Sequence, residues 1–188
     1  MKIVVVGTRG IPDIQGGVET HCEELYPRLA AMGHDVTVVR RSCYVTPQNK
    51  IKEYKGVHLK DIYAPRRKSI EAIVHTFLAI IYARWVGADV LHIHAIGPAL
   101  LTPLARLLGL RVVMTHHGPD YDRQKWNKTA KSVLRWGERM GANYANEVIV
   151  ISTVIDNILR EKYDRTDAHL IYNGVNKPVS AKDDSYIR

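Results

Sequence analysis

A doubly wound α/β domain built on a largely parallel sheet is the fold this sequence predicts, and three observations carry it. Short β-branched runs alternate with amphipathic segments of helical length. Ile3-Val4-Val5-Val6 and Val148-Ile149-Val150-Ile151 are apolar at every position, as in strands covered on both faces. The 188 residues, 46% hydrophobic and 24% charged, suit one well-cored lobe.

The elements follow in order. A first strand over residues 2–7 runs into Gly7. The helix predicted over 17–32 carries Val18, Cys22, Leu25, Leu29 and Met32 on one apolar stripe. Gly33 stands where a left-handed cap belongs, and Pro27 predicts a kink or widened turn. Strands are predicted over 35–40 and 57–62, separated by a polar stretch, 41–56, read as a mobile loop. The basic run Arg66-Arg67-Lys68 lies in a second such loop. A helix over 69–86 is the most apolar segment, but Glu71, His75 and Arg84 interrupt it, which favours a packed helix over a membrane span. Strands over 89–95, 111–116, 147–152 and 168–172 alternate with helices over 98–108, 125–143 and 153–163. This makes about seven strands in one domain over 1–175, and residues 176–188 have linker composition.

The chain opens directly into the first strand, and no targeting segment is visible. Cys22 and Cys43 follow no metal spacing and read as free thiols, so a cytoplasmic protein is expected, at most peripheral to a membrane face. The formal charge of +8 suits phosphorylated substrates, an anionic membrane face or nucleic acid.

Ligands of open α/β sheets bind beyond the carboxyl ends of the strands, where strand order reverses. Three unusual segments converge there. Gly7-Thr8-Arg9-Gly10-Ile11-Pro12-Asp13-Ile14-Gln15-Gly16-Gly17 has neither dinucleotide-fingerprint spacing nor a P-loop Gly-Lys-Ser/Thr. Gly16-Gly17 nevertheless precedes a helix, where backbone N–H groups can meet an anion. In the strand Val90-Leu91-His92-Ile93-His94, both histidines share a face; His94 reaches the crevice and His92 lies one pleat deeper, as a core histidine. In Thr115-His116-His117-Gly118, adjacent histidines point to opposite faces, so one of the pair faces ligand. A zinc site is the rival explanation for these histidines. The chain has no HExxH helix, its nearby carboxylates are Asp120 and Asp122, and no metal is expected.

Gly16-Gly17-Val18-Glu19-Thr20, Met32-Gly33-His34-Asp35-Val36, His92-Ile93-His94-Ala95, Thr115-His116-His117-Gly118, Val148-Ile149-Val150-Ile151-Ser152 and Ile171-Tyr172-Asn173-Gly174-Val175 occur in that order. The ensemble resembles the N-terminal half of family 4 retaining glycosyltransferases of the GT-B fold. The opening Gly7-Thr8-Arg9-Gly10-Ile11-Pro12 is most similar to the bacterial rhamnosyltransferase-type branch used in polysaccharide assembly. The resemblance implies an acceptor-side, Rossmann-like domain facing a donor-side domain. It implies that Gly16 and Gly17 meet the donor diphosphate and that His117, the catalytic candidate, sits beside the transferred sugar. Arg9, Glu19, His94, His116 and Ser152 would line the cleft, and Asn173 and Gly174 would form the hinge. The partners implied are a nucleotide sugar and a glycan or lipid-diphosphate acceptor, without cofactor or metal.

One departure bears on activity. The family's donor side carries a Glu-x₇-Glu pair, whereas Glu138 and Glu147 are nine apart and the residue eight after Glu53 is Asp61. The chain is therefore expected to need a donor domain it lacks and to be inactive alone. Two other functional classes fit less well. An NAD-dependent oxidoreductase wants an acidic residue at the end of the second strand, where Val39-Arg40-Arg41 stands. A nucleic-acid module wants aromatics interleaved with the basic residues, and no nucleic acid is expected. Lys128, Lys131, Arg135 and Arg139 fall on one face of the 125–143 helix, with Trp126, Val133, Trp136 and Met140 beside or behind it; the face is either solvated or, since the resemblance implies lipid-diphosphate acceptors, a contact with an anionic membrane surface.

Overall fold

The computed structural model describes residues 1–67, 70–122, 124 and 126–174. Its strands are β1 (Lys2–Val6), β2 (Asp35–Arg41), β3 (Glu53–Tyr54), β4 (Val57–Ile62), β5 (Val90–His94), β6 (Val112–His116), β7 (Glu147–Val150) and β8 (His169–Leu170). They form one sheet in the order β3-β4-β2-β1-β5-β6-β7-β8. Every neighbouring pair is parallel except β3–β4. The helices are α1 (Gly17–Ala31), α2 (Glu71–Trp85), α3 (Ile96–Ala99), α4 (Thr102–Leu107), α5 (Lys128–Tyr144) and α6 (Thr153–Tyr163). The expected doubly wound lobe is present.

Alternation along β1 builds two cores. Ile3 and Val5 join Val36, Val38 and Val57 against Cys22 and Tyr26 of α1. Val4 and Val6 join Leu91, Ile93, Met114 and Val148 on the other face, against Ala79, Ile80 and Ala83 of α2, Ala142 of α5, and Ile155 and Leu159 of α6. Each such aliphatic side chain contributes about 1.5–3 kcal/mol when fully buried. The apolar stripe of α1 is thus read out as packing, and the helix continues through Pro27 to Ala31. Gly33 (φ +87°) closes it: its N–H donates to the Ala30 carbonyl and the His34 N–H to the Leu29 carbonyl, a Schellman arrangement.

Three local readings are corrected. The eighth strand, β3, makes a hairpin with β4 whose two turn residues, Lys55 and Gly56, both have positive φ (47° and 81°). The helix expected over 98–108 is two, because Pro103, in the first turn of α4, has no N–H to continue the ladder from α3. The stretch 41–56 is pinned rather than loose. Fully buried Arg40 donates to Asp61 (2.7 Å) and to the carbonyls of Asn49 (2.8 Å) and Ile51 (3.1 Å). Arg41 bonds Glu71 of α2 (2.7 Å) and the Gly7 carbonyl (3.3 Å). Ser69 and Lys125, expected helix starts, lie outside the described residues, as do Lys68 and the tail from 175.

Among the described residues, no helix is long and apolar enough to cross a membrane. β1 pairs with β2 on one side and β5 on the other, so the order reverses between β1 and β5. The chemistry gathers at that point.

Candidate functional site

The loop after β1 is built around two close approaches. A Cβ on Gly7 (φ +98°) would stand 2.1 Å from the carbonyl oxygen of His94, so β1 and β5 can meet at the crevice only with glycine there. A Cβ on Gly16 would stand 2.0 Å from Glu19 Oε2. That space is used: Glu19 turns back from the first turn of α1 and accepts the Arg9 N–H (2.9 Å) and the Thr8 hydroxyl (3.3 Å). The buried Glu19 carboxylate therefore holds the loop. Gly16, the residue capping α1, offers no side chain, so no side-chain cap covers the first-turn N–H groups and the positive end of the helix. Glu19 partly offsets that positive field. Arg9 donates to the Gln15 carbonyl (3.0 Å), and its guanidinium lies 5.5 Å from the Tyr44 ring centre.

Next to the helix start stands a group of imidazoles. His94, fully buried, bonds Tyr26 Oη through Nε2 and His117 Nε2 through Nδ1 (2.8 Å). His92 bonds the same Tyr26 hydroxyl through Nδ1 (2.9 Å) and Thr115 Oγ1 through Nε2 (2.7 Å), as a core histidine does. His21, one turn into α1, packs its ring 5.6 Å from that of His94 and 5.1 Å from that of His117. Ring nitrogens of His21, His94 and His117 lie within 4.8 Å of one another and form a set that could hold a metal ion. His94 is thus behind His117, not on an open wall.

Burial makes these rings poor bases. Desolvation, with smaller contributions from His21 and His116, lowers the His117 pKa to about 4. It lowers His92 to about 3 and His94 well below 6.5. His21 is lowered by burial against an opposing hydrogen bond from Asn173. At neutral pH the cluster is uncharged. A neutral imidazole can orient hydroxyl groups but brings no positive charge to an anion, whereas the N-terminus of α1 carries a partial one.

The other expected cleft residues separate. His116 is fully buried, Nε2 2.8 Å from Glu138 of α5 and Nδ1 accepting the Gly118 N–H (3.1 Å), so the fork between the adjacent histidines leaves His117 with the cluster. Ser152 caps α6, its Oγ accepting the Ile155 N–H (3.4 Å). Asn173 and Gly174 are exposed, and Asn173 reaches His21. Sequence reasoning passed over His21, Tyr26 and Glu138. Tyr26 stands four residues after Cys22, on the same buried side of α1, and that spacing was the available signal.

A switch-point crevice, an uncapped glycine-led helix and neutral imidazoles at the neighbouring strand ends define one Rossmann-like half of a two-lobed fold. The solved structures most usefully compared share that lobe. Sucrose-phosphate synthase from Thermosynechococcus elongatus matches with a TM-score of 0.74 at 20% identity, over 93% of this chain and 48% of that one. HepE from Anabaena, in complex with UDP and glucose, matches at 0.65 and 13% identity, over 93% and 45%. UGT89C1 from Arabidopsis thaliana, complexed with UDP-L-rhamnose, matches at 0.55 and 12% identity, over 94% and 53%. The chain thus spans about half the length of these structures. No curated protein sequence matches it. A profile described as Glycosyltransferase Family 4 matches residues 15–177, and the chain belongs to that family.

Proposed function

We propose that this chain is the acceptor-side half of a retaining, metal-independent glycosyltransferase, of the rhamnosyl-transferring type, acting in bacterial polysaccharide assembly. The donor is a nucleotide-diphosphate sugar and the acceptor a glycan or lipid diphosphate. The observation that carries this reading is the meeting of α1's glycine-led N-terminus with His21, His94 and His117 at the β1–β5 switch point. In the reaction, the bond from the anomeric carbon to the diphosphate breaks. Backbone N–H groups at Gly17 and Val18 stabilise the leaving charge, and His117 holds a sugar hydroxyl. With a pKa of about 4, His117 orients rather than removes protons. Buried Arg40 and Arg41 at the end of β2 occupy the place where a dinucleotide enzyme keeps its ribose carboxylate, which favours this reading over an oxidoreductase.

The test pairs this chain alone with its fusion to a donor-side half bearing Glu-x₇-Glu, assayed with a panel of nucleotide sugars. The fusion should transfer sugar, undiminished by EDTA, and the chain alone should not. Comparable turnover by the chain alone, or loss of turnover on chelation, would overturn the reading.

A membrane surface is the partner that α5 favours. Lys128, Arg135 and Arg139 are exposed there, and Trp136, 67% exposed, lies beside them. Leu100, Thr129, Ser132, Val133 and Trp136 line a shallow depression of about 170 Å³. Each basic residue near an anionic surface contributes about 1 kcal/mol. Sedimentation with anionic liposomes should be salt-sensitive and should drop when Lys128, Lys131 and Arg135 become Glu; equal binding to neutral liposomes, or none to either, would refute it.

A further inference from the structure

From Thr115 to His117 the buried polar groups form one string. Thr115 Oγ1 meets His92 Nε2, His92 Nδ1 meets Tyr26 Oη, Tyr26 Oη meets His94 Nε2, and His94 Nδ1 meets His117 Nε2. Thr115, His92, Tyr26 and His94 are all at most 7% exposed. Each bond of the string joins a ring to a hydroxyl or to another ring, so above the ordinary imidazole pKa of about 6.5 all three rings are neutral. A neutral imidazole has one N–H and one bare nitrogen, and a phenol has a single proton to donate.

These counts leave two arrangements. Tyr26 faces two ring nitrogens, so it donates to one and accepts from the other. If it donates to His92 Nδ1, then His92 carries its proton on Nε2, directed at Thr115. His94 must then donate from Nε2 to Tyr26, and its bare Nδ1 accepts from His117 Nε2–H. His117 Nδ1, which makes no hydrogen bond within the described residues, is left as an acceptor. If Tyr26 instead donates to His94 Nε2, each step reverses: all three histidines carry the proton on Nδ1, and His117 Nδ1 becomes a donor. Mixed assignments would place two protons, or two bare atoms, against each other inside a dry core, at the cost of an unsatisfied buried group.

We propose that Tyr26 is a positioning residue that locks His92, His94 and His117 into one common tautomer and so fixes whether His117 offers the sugar a donor or an acceptor. Neither Tyr26 nor His92 touches the ligand in this scheme; both act through His94. The consequence for turnover rests on the glycosyltransferase reading, whereas the lock itself does not.

Long-range ¹H–¹⁵N correlation spectra of the purified chain report which nitrogen of each histidine is protonated. The wild type should show His92, His94 and His117 all as Nε2–H or all as Nδ1–H; any mixture overturns the lock. Tyr26→Phe should abolish the agreement between His92 and the other two, and an unchanged pattern would count against Tyr26. Thr115→Val removes the far end of the string. It should drive all three rings, including His117, to Nδ1–H, because a bare buried nitrogen is tolerated better than an N–H without an acceptor; His117 protonated on Nε2 in that variant overturns the proposal even if Tyr26→Phe fails to fold. In the two-domain enzyme, Tyr26→Phe should lower kcat by about ten- to a hundredfold with donor KM unchanged, the sign of lost positioning. A normal kcat with the tautomers locked in the wild type removes Tyr26 from the reaction. Absence of turnover in the wild-type enzyme would instead count against the glycosyltransferase reading.

Discussion

Glu138→Ala should destabilise the fold by about 3–5 kcal/mol, the range for removing one partner from a buried charged network. The Glu138 carboxylate is fully buried in α5 and accepts from His116 Nε2 (2.8 Å), Tyr121 Oη (3.1 and 3.2 Å) and Tyr163 Oη (2.7 Å). It ties the carboxyl end of β6, the turn after it and the end of α6 to one helix. Removing it strands three donors at once. Burial alone would raise its pKa, but the hydrogen bonds from His116, Tyr163 and Tyr121 outweigh that and hold it below the ordinary carboxylate value. A depressed carboxylate pKa means stability that is present above the unfolded value of about 4.3 and lost as pH falls through the folded value. Urea denaturation of both proteins at pH 7, and then at falling pH, should show a gap that narrows only in acid. A gap under about 1 kcal/mol at pH 7 would mean the donors find other partners.

On the proposed glycosyltransferase reading, His117→Ala in the fusion with a donor-side half should reduce kcat/KM by about 10²-fold, as expected for the loss of a group that orients the reacting sugar. The pH profile carries the sharper signature. His117 protonates only near pH 4, so its contribution should be flat from pH 8 down to pH 5 and fall below that. An inflection near 6.5 that disappears in His117→Ala would show an exposed, ordinary imidazole instead. The same shift predicts a stability effect of fixed sign. Histidines 75, 92 and 117 have folded pKa values of about 4, 3 and 4. The unfolded chain binds protons first as pH drops below about 6.5, so stability declines from there toward the folded values.

The sheet was legible from residues 1–174 because the signal is local and repeated. Ile3-Val4-Val5-Val6 can be covered on both faces only inside a parallel sheet, and the spacing from Val18 to Met32 can bury a stripe only as a helix. The α6 boundaries, Thr153–Tyr163, fall where they were read because Ser152 is a side-chain cap written next to the helix it starts. β3 went unread because two residues carry no periodicity and their hairpin depends on Lys55 adopting a left-handed conformation. The stretch from Arg41 onward was read as a loose loop because what pins it is not written locally: Arg41 meets Glu71 and the Gly7 carbonyl, and Arg40, at the end of the strand, meets Asp61 and the carbonyls of Asn49 and Ile51.

At the site, residue types and strand-end positions pointed to Gly16, Gly17, His94 and one of the pair His116 and His117, of which the family resemblance implied His117. Period-two alternation alone places His92 beneath His94. Alternation also required His116 and His117 to part, but it could not say which way. That choice was made by α5, whose buried Glu138 takes His116, and by α1, whose Tyr26 holds the His94 that meets His117. Burial of the cluster likewise turned four ordinary imidazoles into neutral ones. Periodicity along a chain records which face a side chain takes. The partner it finds there, and the charge it can keep, depend on elements 22 to 68 residues away, brought near only by packing.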